Sequence, residues 1–341
     1  MAKISGPDAR SPTFWRQCRR LTPLLIGVCA GAGSQMAAAA TYWQLQQAGI
    51  SVFVEGDKRA AVHVAETTFR LQSVARWLLS WPDSHREPPV LVFVVNESLL
   101  RHTFQFPPVP IGAYSNPTTS HELWVRGPSL VVVAAPIVNR TGYELHSLQH
   151  AYGEALLREE ASQDWPACVH DGMSALFAAA ELSAPNHFYL AGRTVFGQFD
   201  DIRGKYDVVN PETFLKGKNT PHEQMPQWEI DQEGYSCYLL SFMIASVTPE
   251  QRIPMEKMLT AVGKGVSLNT AITSELQETQ AEFMARYRDF GHSMLLKPEF
   301  LQVRVDFPEE IPAMPEPTPI PLETLQALMG RLCTKLQNCR K

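Results

Sequence analysis

The sequence predicts an α+β protein: an N-terminal mixed β-sheet carrying one helix, followed by a mostly helical region. Two features of its hydrophobic pattern lead there. Between Ile50 and Val95 the period switches from strand to helix and back, the start of a β-α-β unit. From Asn139 onward it becomes helical and mostly stays so. Length and composition agree, because 341 residues hold two ordinary domains or one large one and an apolar share of 45% excludes a disordered or fibrous chain. A net charge of -5, with no Lys/Arg cluster beyond the first twenty residues, argues against nucleic acid as a partner.

The first forty residues differ from the rest. Arg16, Arg19 and Arg20 precede an uncharged stretch, Leu21 to Ala40, that ends in Met36-Ala37-Ala38-Ala39-Ala40. A basic segment, an apolar segment and a small-residue cleavage site make residues 1–40 an expected signal peptide, and the mature protein periplasmic or secreted. Membrane attachment follows only if this leader stays uncleaved. Cys29 follows Ile26-Gly27-Val28, a poor lipobox, and Arg19-Arg20 fits a twin-arginine signal weakly. Cleavage removes five basic residues and one acidic one, which takes the net charge from -5 to -9. Such a surface repels anionic lipid and nucleic acid.

Strands are expected at Ile50–Val54, Val90–Val95, Ile111–Tyr114, Glu122–Val125 and Leu130–Ala134. Asn116-Pro117 and Gly127-Pro128 turns separate the last three, which suggests a meander. Arg59 to Ser80 forms an amphipathic helix with Val62, Phe69, Val74, Trp77 and Leu78 on its apolar side. Further helices are expected at Thr141–Arg158, Trp165–Leu182, Gly234–Ser246, Pro249–Val262 and Gln277–Phe290. Arg193 to Trp228 reads as a loop with a short helix at Pro211–Leu215. After a strand at Leu301–Phe307, the proline-rich run from Pro308 to Pro321 reads as an extended tail or linker, and Leu322 to Leu336 as a terminal amphipathic helix. The expected divisions are 1–40, 41–136, 137–295 and 296–341.

Four cysteines remain beyond the leader, an even number for an oxidising compartment. Of three possible pairings, Cys168 with Cys237 and Cys333 with Cys339 is favoured. The second bridge requires a break in the terminal helix, since positions six apart do not face each other.

The chemistry concentrates in two adjacent helices. His146-Ser147-Leu148-Gln149-His150 places two imidazoles four residues apart, a spacing that lets both reach one tetrahedral zinc at roughly 2.0–2.1 Å. Asp171 follows on the next helix, and two histidines with a carboxylate and an open fourth position form a catalytic type of zinc site. His170 is chemically acceptable as third ligand, but it and Asp171 lie about 100° apart on their helix, so only one can point at the metal.

On these elements the run from Val90 to about Phe290 resembles the peptidase-MA-like domain of the gluzincin metallopeptidases. Leu130–Ala134 takes the place of the strand before the zincin helix, and Leu145-His146-Ser147-Leu148-Gln149-His150-Ala151-Tyr152 that of the helix itself. Asp171-Gly172-Met173-Ser174-Ala175-Leu176-Phe177 matches the following Glu-Gly helix with Asp for Glu, and the helix around Tyr235-Ser236-Cys237 fits the layout. The resemblance implies a zincin-like subdomain, with zinc on His146, His150 and Asp171. It also implies a glutamate general base where this chain has Ser147. Such acid-base help contributes roughly 10² to 10⁴ in rate, and a serine hydroxyl cannot supply it.

Glu144 points away from the histidine face, so it cannot replace the base. Glu154 continues the stripe His146, His150, Glu154 and is either a solvated carboxylate or a group orienting His150. Tyr235 is either an interhelical packing residue or a donor to a developing oxyanion. Three readings result: an active exported zinc metallopeptidase with another base; a pseudo-peptidase, with or without zinc, whose strand Glu122–Val125 pairs with an extended peptide; or a protein in which both histidines simply pack. Ser147 favours the pseudo-peptidase.

Overall fold

Ala48 and Gly49 have φ of 47° and 82°. Two left-handed residues in a row form the turn whose twist suits an antiparallel pair. They join β1 (Tyr42–Gln47) to β2 (Ile50–Glu55), in register from Gln47↔Ile50 to Tyr42↔Glu55. β1 lies ahead of the first expected strand, because Gln44, Gln46 and Gln47 mask its alternation. The computed structural model describes residues 42–81, 89–95, 99, 123–125, 130–134, 143–160, 164–182, 186–191, 210–215, 227–296, 302–306 and 311–335. The expected signal peptide, the strand expected at Ile111–Tyr114 and Cys339 lie outside these residues, as does the side chain of Cys333.

α1 (Lys58–Leu78) starts where the Asp57 carboxylate accepts from the Ala60 amide at 2.8 Å. It ends in a left-handed residue, Ser80, with the Trp81 amide bonded to the Arg76 carbonyl and that of Ser80 to Trp77. The chain then returns in β3 (Val90–Val94), parallel to β2, which completes the expected β-α-β unit. β5 (Leu130–Ala134) pairs parallel to β3, and β4 (Leu123–Val125) pairs antiparallel to β5. The resulting mixed sheet has the order β4-β5-β3-β2-β1 and is completed beside β1 by a strand at Thr318–Ile320, β9.

β9 (Thr318–Ile320) belongs to the run expected to be a tail or linker. Residues 311–317 lead into it, and it pairs with β1 from Tyr42↔Ile320 to Gln44↔Thr318. Proline is tolerated on an outer strand, so Pro319 is no obstacle. α9 (Leu322–Lys335) then packs Leu325 and Met329 with Tyr42, Phe53, Phe93 and Val95. Phe53 and Phe93 stack there at 4.8 Å. The opposite face, with Ile50, Val52, Val54, Val90 and Val92, shares the larger core with α1 and the helical region. Strand alternation therefore covers both faces of the sheet.

The helical region consists of α2 (Tyr143–Glu160), α3 (Ala167–Ala179), α4 (Pro211–Leu215), α5 (Gln227–Ala245), α6 (Pro249–Gly263), α7 (Leu268–Ala271) and α8 (Gln280–Leu296). A small sheet, β6 (Ala180–Glu181), β7 (His187–Ala191) and β8 (Gln302–Asp306), lies in the order β6-β7-β8. Its first two strands were not expected. Thr248 and Gln251 form a reciprocal cap at the start of α6. Just inside it, Arg252 is fully buried and donates to the carbonyls of Ile244, Ala245 and Val247 at 3.0–3.2 Å. Among the described residues no helix is long and apolar enough to cross a membrane.

Candidate functional site

α2 and α3 form an antiparallel pair whose register follows from three contacts. The Gln149 amide donates to the Ala180 carbonyl at 2.9 Å. Gly153 faces Phe177, whose ring leaves no room for a Cβ, and the Ser174 hydroxyl lies 3.2 Å from the Glu154 carboxylate. His150, next to Gln149, therefore sits opposite the C-terminal end of α3. His146 lies one turn earlier on α2, still farther from the start of α3. The side chains of His146 and Ser147 fall outside the described residues.

Asp171 occupies the other end of α3, about 12 Å of helix axis from the point facing His150. It is exposed, on a stripe with Ala167. For Asp171 to meet His150, the turn between the helices would have to fall about four residues earlier. Instead α2 continues to Glu160 and α3 begins only at Ala167. His170 is shifted the same way and lies against Trp165, ring centres 6.1 Å apart. In this register neither Asp171 nor His170 is brought to His150. Among the described residues, which do not include the His146 side chain, no cluster of three His, Cys, Asp or Glu could hold a metal ion.

Glu154 departs from the solvated-carboxylate expectation, since it is 8% exposed and lies between α2 and α3. Ser174, fully buried, shares its proton between Glu154 Oε2 at 3.2 Å and the His170 carbonyl at 2.9 Å. Pairing of this kind is what a carboxylate needs inside a helix interface. Serine at 174 was the available signal, one residue from a helix face otherwise apolar.

Gly172, the glycine of the Asp-Gly pair, has a packing role. A Cβ there would stand 2.4 Å from the Cys237 carbonyl oxygen on α5 and equally close to the Ser241 hydroxyl. Such an approach requires glycine, and it brings Cys168 of α3 and Cys237 of α5 to a Cα separation of 5.3 Å, where they form a disulfide. Gly172→Ala is expected to destabilise the protein by about 1–3 kcal/mol, because backbone must move to admit the methyl group. Urea unfolding checks it, and a change below about 0.5 kcal/mol would mean that the helices separate freely.

Tyr235 lies two residues before Cys237 and so about 160° around α5 from the contact with α3. It is half-buried, near Tyr238 and Tyr287, and burial raises both of their hydroxyls well above the ordinary tyrosine value. Tyr287 donates to the Ser236 carbonyl at 3.3 Å. The packing role fits this position better than the oxyanion role. No protein-family model matches the chain, and no curated protein matches it.

Proposed function

We propose that this chain is an exported, non-hydrolysing peptide-binding module whose docking element is strand β4. One observation carries the reading: β4 is the outermost described strand of the larger sheet, antiparallel to β5, and α2 packs against both strands. An extended peptide laid along such a strand gains main-chain hydrogen bonds, and alternate side chains give it specificity. Leu123-Trp124-Val125 carries none of the charges or prolines that usually guard a sheet edge. Ser147 in place of a carboxylate argues against hydrolysis. The separation of Asp171 from His150 argues against a resident zinc. Export rests on the basic, apolar and small-residue pattern of residues 1–40.

The test uses fluorescein-labelled pools of extended decapeptides and protein purified from Thr41 onward. At least one pool is expected to bind with micromolar affinity, uncleaved by mass spectrometry. Val125→Pro is expected to weaken binding at least tenfold. Ser147→Glu is expected to confer no peptidase activity, because the acid that would complete the site lies elsewhere. Peptide cleavage by the parent protein with one equivalent of zinc, or a gain of cleavage in Ser147→Glu, would overturn the proposal, as would binding that ignores Val125→Pro.

A further inference from the structure

A groove of about 650 Å³ runs along the outer side of α6. Ile253, Glu256, Lys257, Thr260, Ala261 and Lys264 form its floor and one rim. These positions recur at three and four residues, so they make one stripe about 16 Å long. Leu79 and Trp81 at the end of α1, Trp165 just before α3, and Val266 and Glu275 also line it.

The polar groups are specifically arranged. Ser80, held in its left-handed conformation at the end of α1, donates to Glu256 Oε1 at 2.8 Å, and the next residue, Trp81, lines the groove. Trp165 Nε1 donates to the Thr260 hydroxyl at 3.2 Å, which ties this indole to the floor. Lys264 is paired with Asp164 at 3.2 Å. Of the three exposed large hydrophobic side chains among the described residues, Ile253 and Val266 both border this groove.

Several ligand classes fit poorly. Two carboxylates and two ammonium groups line the groove, so its net charge selects neither a cation nor an anion. None of its lining residues lies in a β-strand, so it offers no strand edge to an extended peptide. An amphipathic partner helix needs a continuous apolar stripe, whereas this one alternates aliphatic with charged residues. A compact apolar ligand needs an enclosing cavity rather than an open trough. A ligand with apolar C–H faces and a rim of neutral hydroxyls, repeated along a line, meets all four conditions. We propose that this groove binds a linear neutral oligosaccharide, with Trp81 as stacking platform and Glu256 as hydroxyl acceptor.

Intrinsic tryptophan fluorescence of the full mature chain, titrated with cellotetraose, maltotetraose and chitotetraose, tests this. At least one is expected to give a saturable change with a dissociation constant below about 1 mM. Trp81→Ala is expected to weaken it at least tenfold and Glu256→Gln at least fivefold at unchanged Tm. Should Trp81→Ala fail to fold, Glu256→Gln decides alone. The absence of a saturable response to all three up to about 10 mM, or binding indifferent to the decisive variant, overturns the proposal. Val125→Pro should leave saccharide binding untouched, so this result and that for peptide binding at β4 fail separately.

Discussion

Replacing Arg252 with alanine is expected to lower the unfolding free energy by about 2–5 kcal/mol, about 1–3 for each buried carbonyl that loses its donor. Arg252 is fully buried, and its guanidinium caps the end of α5 by donating to the carbonyls of Ile244, Ala245 and Val247. Helix ends leave such carbonyls without intrahelical partners; alanine would take the side-chain donor from those of Ile244 and Val247 and leave Ala245 only the Trp77 indole, at 3.3 Å. The cation also lies over the Trp77 ring, 4.8 Å from its centre, so α1, α5 and α6 meet at one side chain. Burial pushes the guanidinium down to about 10, opposed by Glu256 and Glu250, and it stays charged at neutral pH. Lysine brings one ammonium where arginine has a planar fork, so Arg252→Lys should recover less than half of the loss. Urea unfolding at pH 7 gives the numbers, and a loss below about 1 kcal/mol for Arg252→Ala would show that water satisfies the α5 end.

Glu256 behaves oppositely. Burial raises its carboxyl above the ordinary value, against the Ser80 hydrogen bond and Arg252. The folded state therefore binds this proton more tightly than the unfolded one. Its contribution is complete below the unfolded pKa and fades as pH rises through the raised folded value. Glu256→Gln should accordingly leave stability at neutral pH unchanged or slightly higher, as its use as a binding variant requires.

The second large effect concerns Cys168 and Cys237. Their bridge joins α3 to α5 across a sequence separation of 69. Constraining a loop of that length removes unfolded-chain entropy worth roughly 4 kcal/mol, so the Cys168→Ala, Cys237→Ala pair should lower Tm by on the order of 10 °C. Both sulfurs are buried, at 7% and 3% exposure, so mild reductant on the folded protein should act slowly. Calorimetry of the double variant, with nonreducing peptide mapping of the parent, settles both points. A parent with two free thiols here would remove the argument.

Much of the fold was legible because the relevant segments carry their own signal. The continuous apolar runs of β3 and β5 and the amphipathic α1 appear within two residues of their expected positions. So does α4, at Pro211–Leu215 as expected. The disulfide pair also agrees. β1 and β9 were missed because a glutamine-rich strand and a proline-rich strand look like strands only once each has found a neighbour. The paired-helix site is hard to read for a related reason. Spacing alone puts His146 with His150, but the distance between Asp171 and His150 depends on where one helix stops and the next starts. Single-sequence patterns locate such boundaries worst.

The pairing of β1 with β9 has a kinetic consequence. Gln44 bonds Thr318 across 274 positions of sequence, so during vectorial synthesis β1 waits through that whole stretch before its outer neighbour emerges. Until then Tyr42, Phe53 and Phe93 also lack the helix that shields them. Contacts of such high order slow folding and prolong the interval in which this apolar face of the sheet stands uncovered.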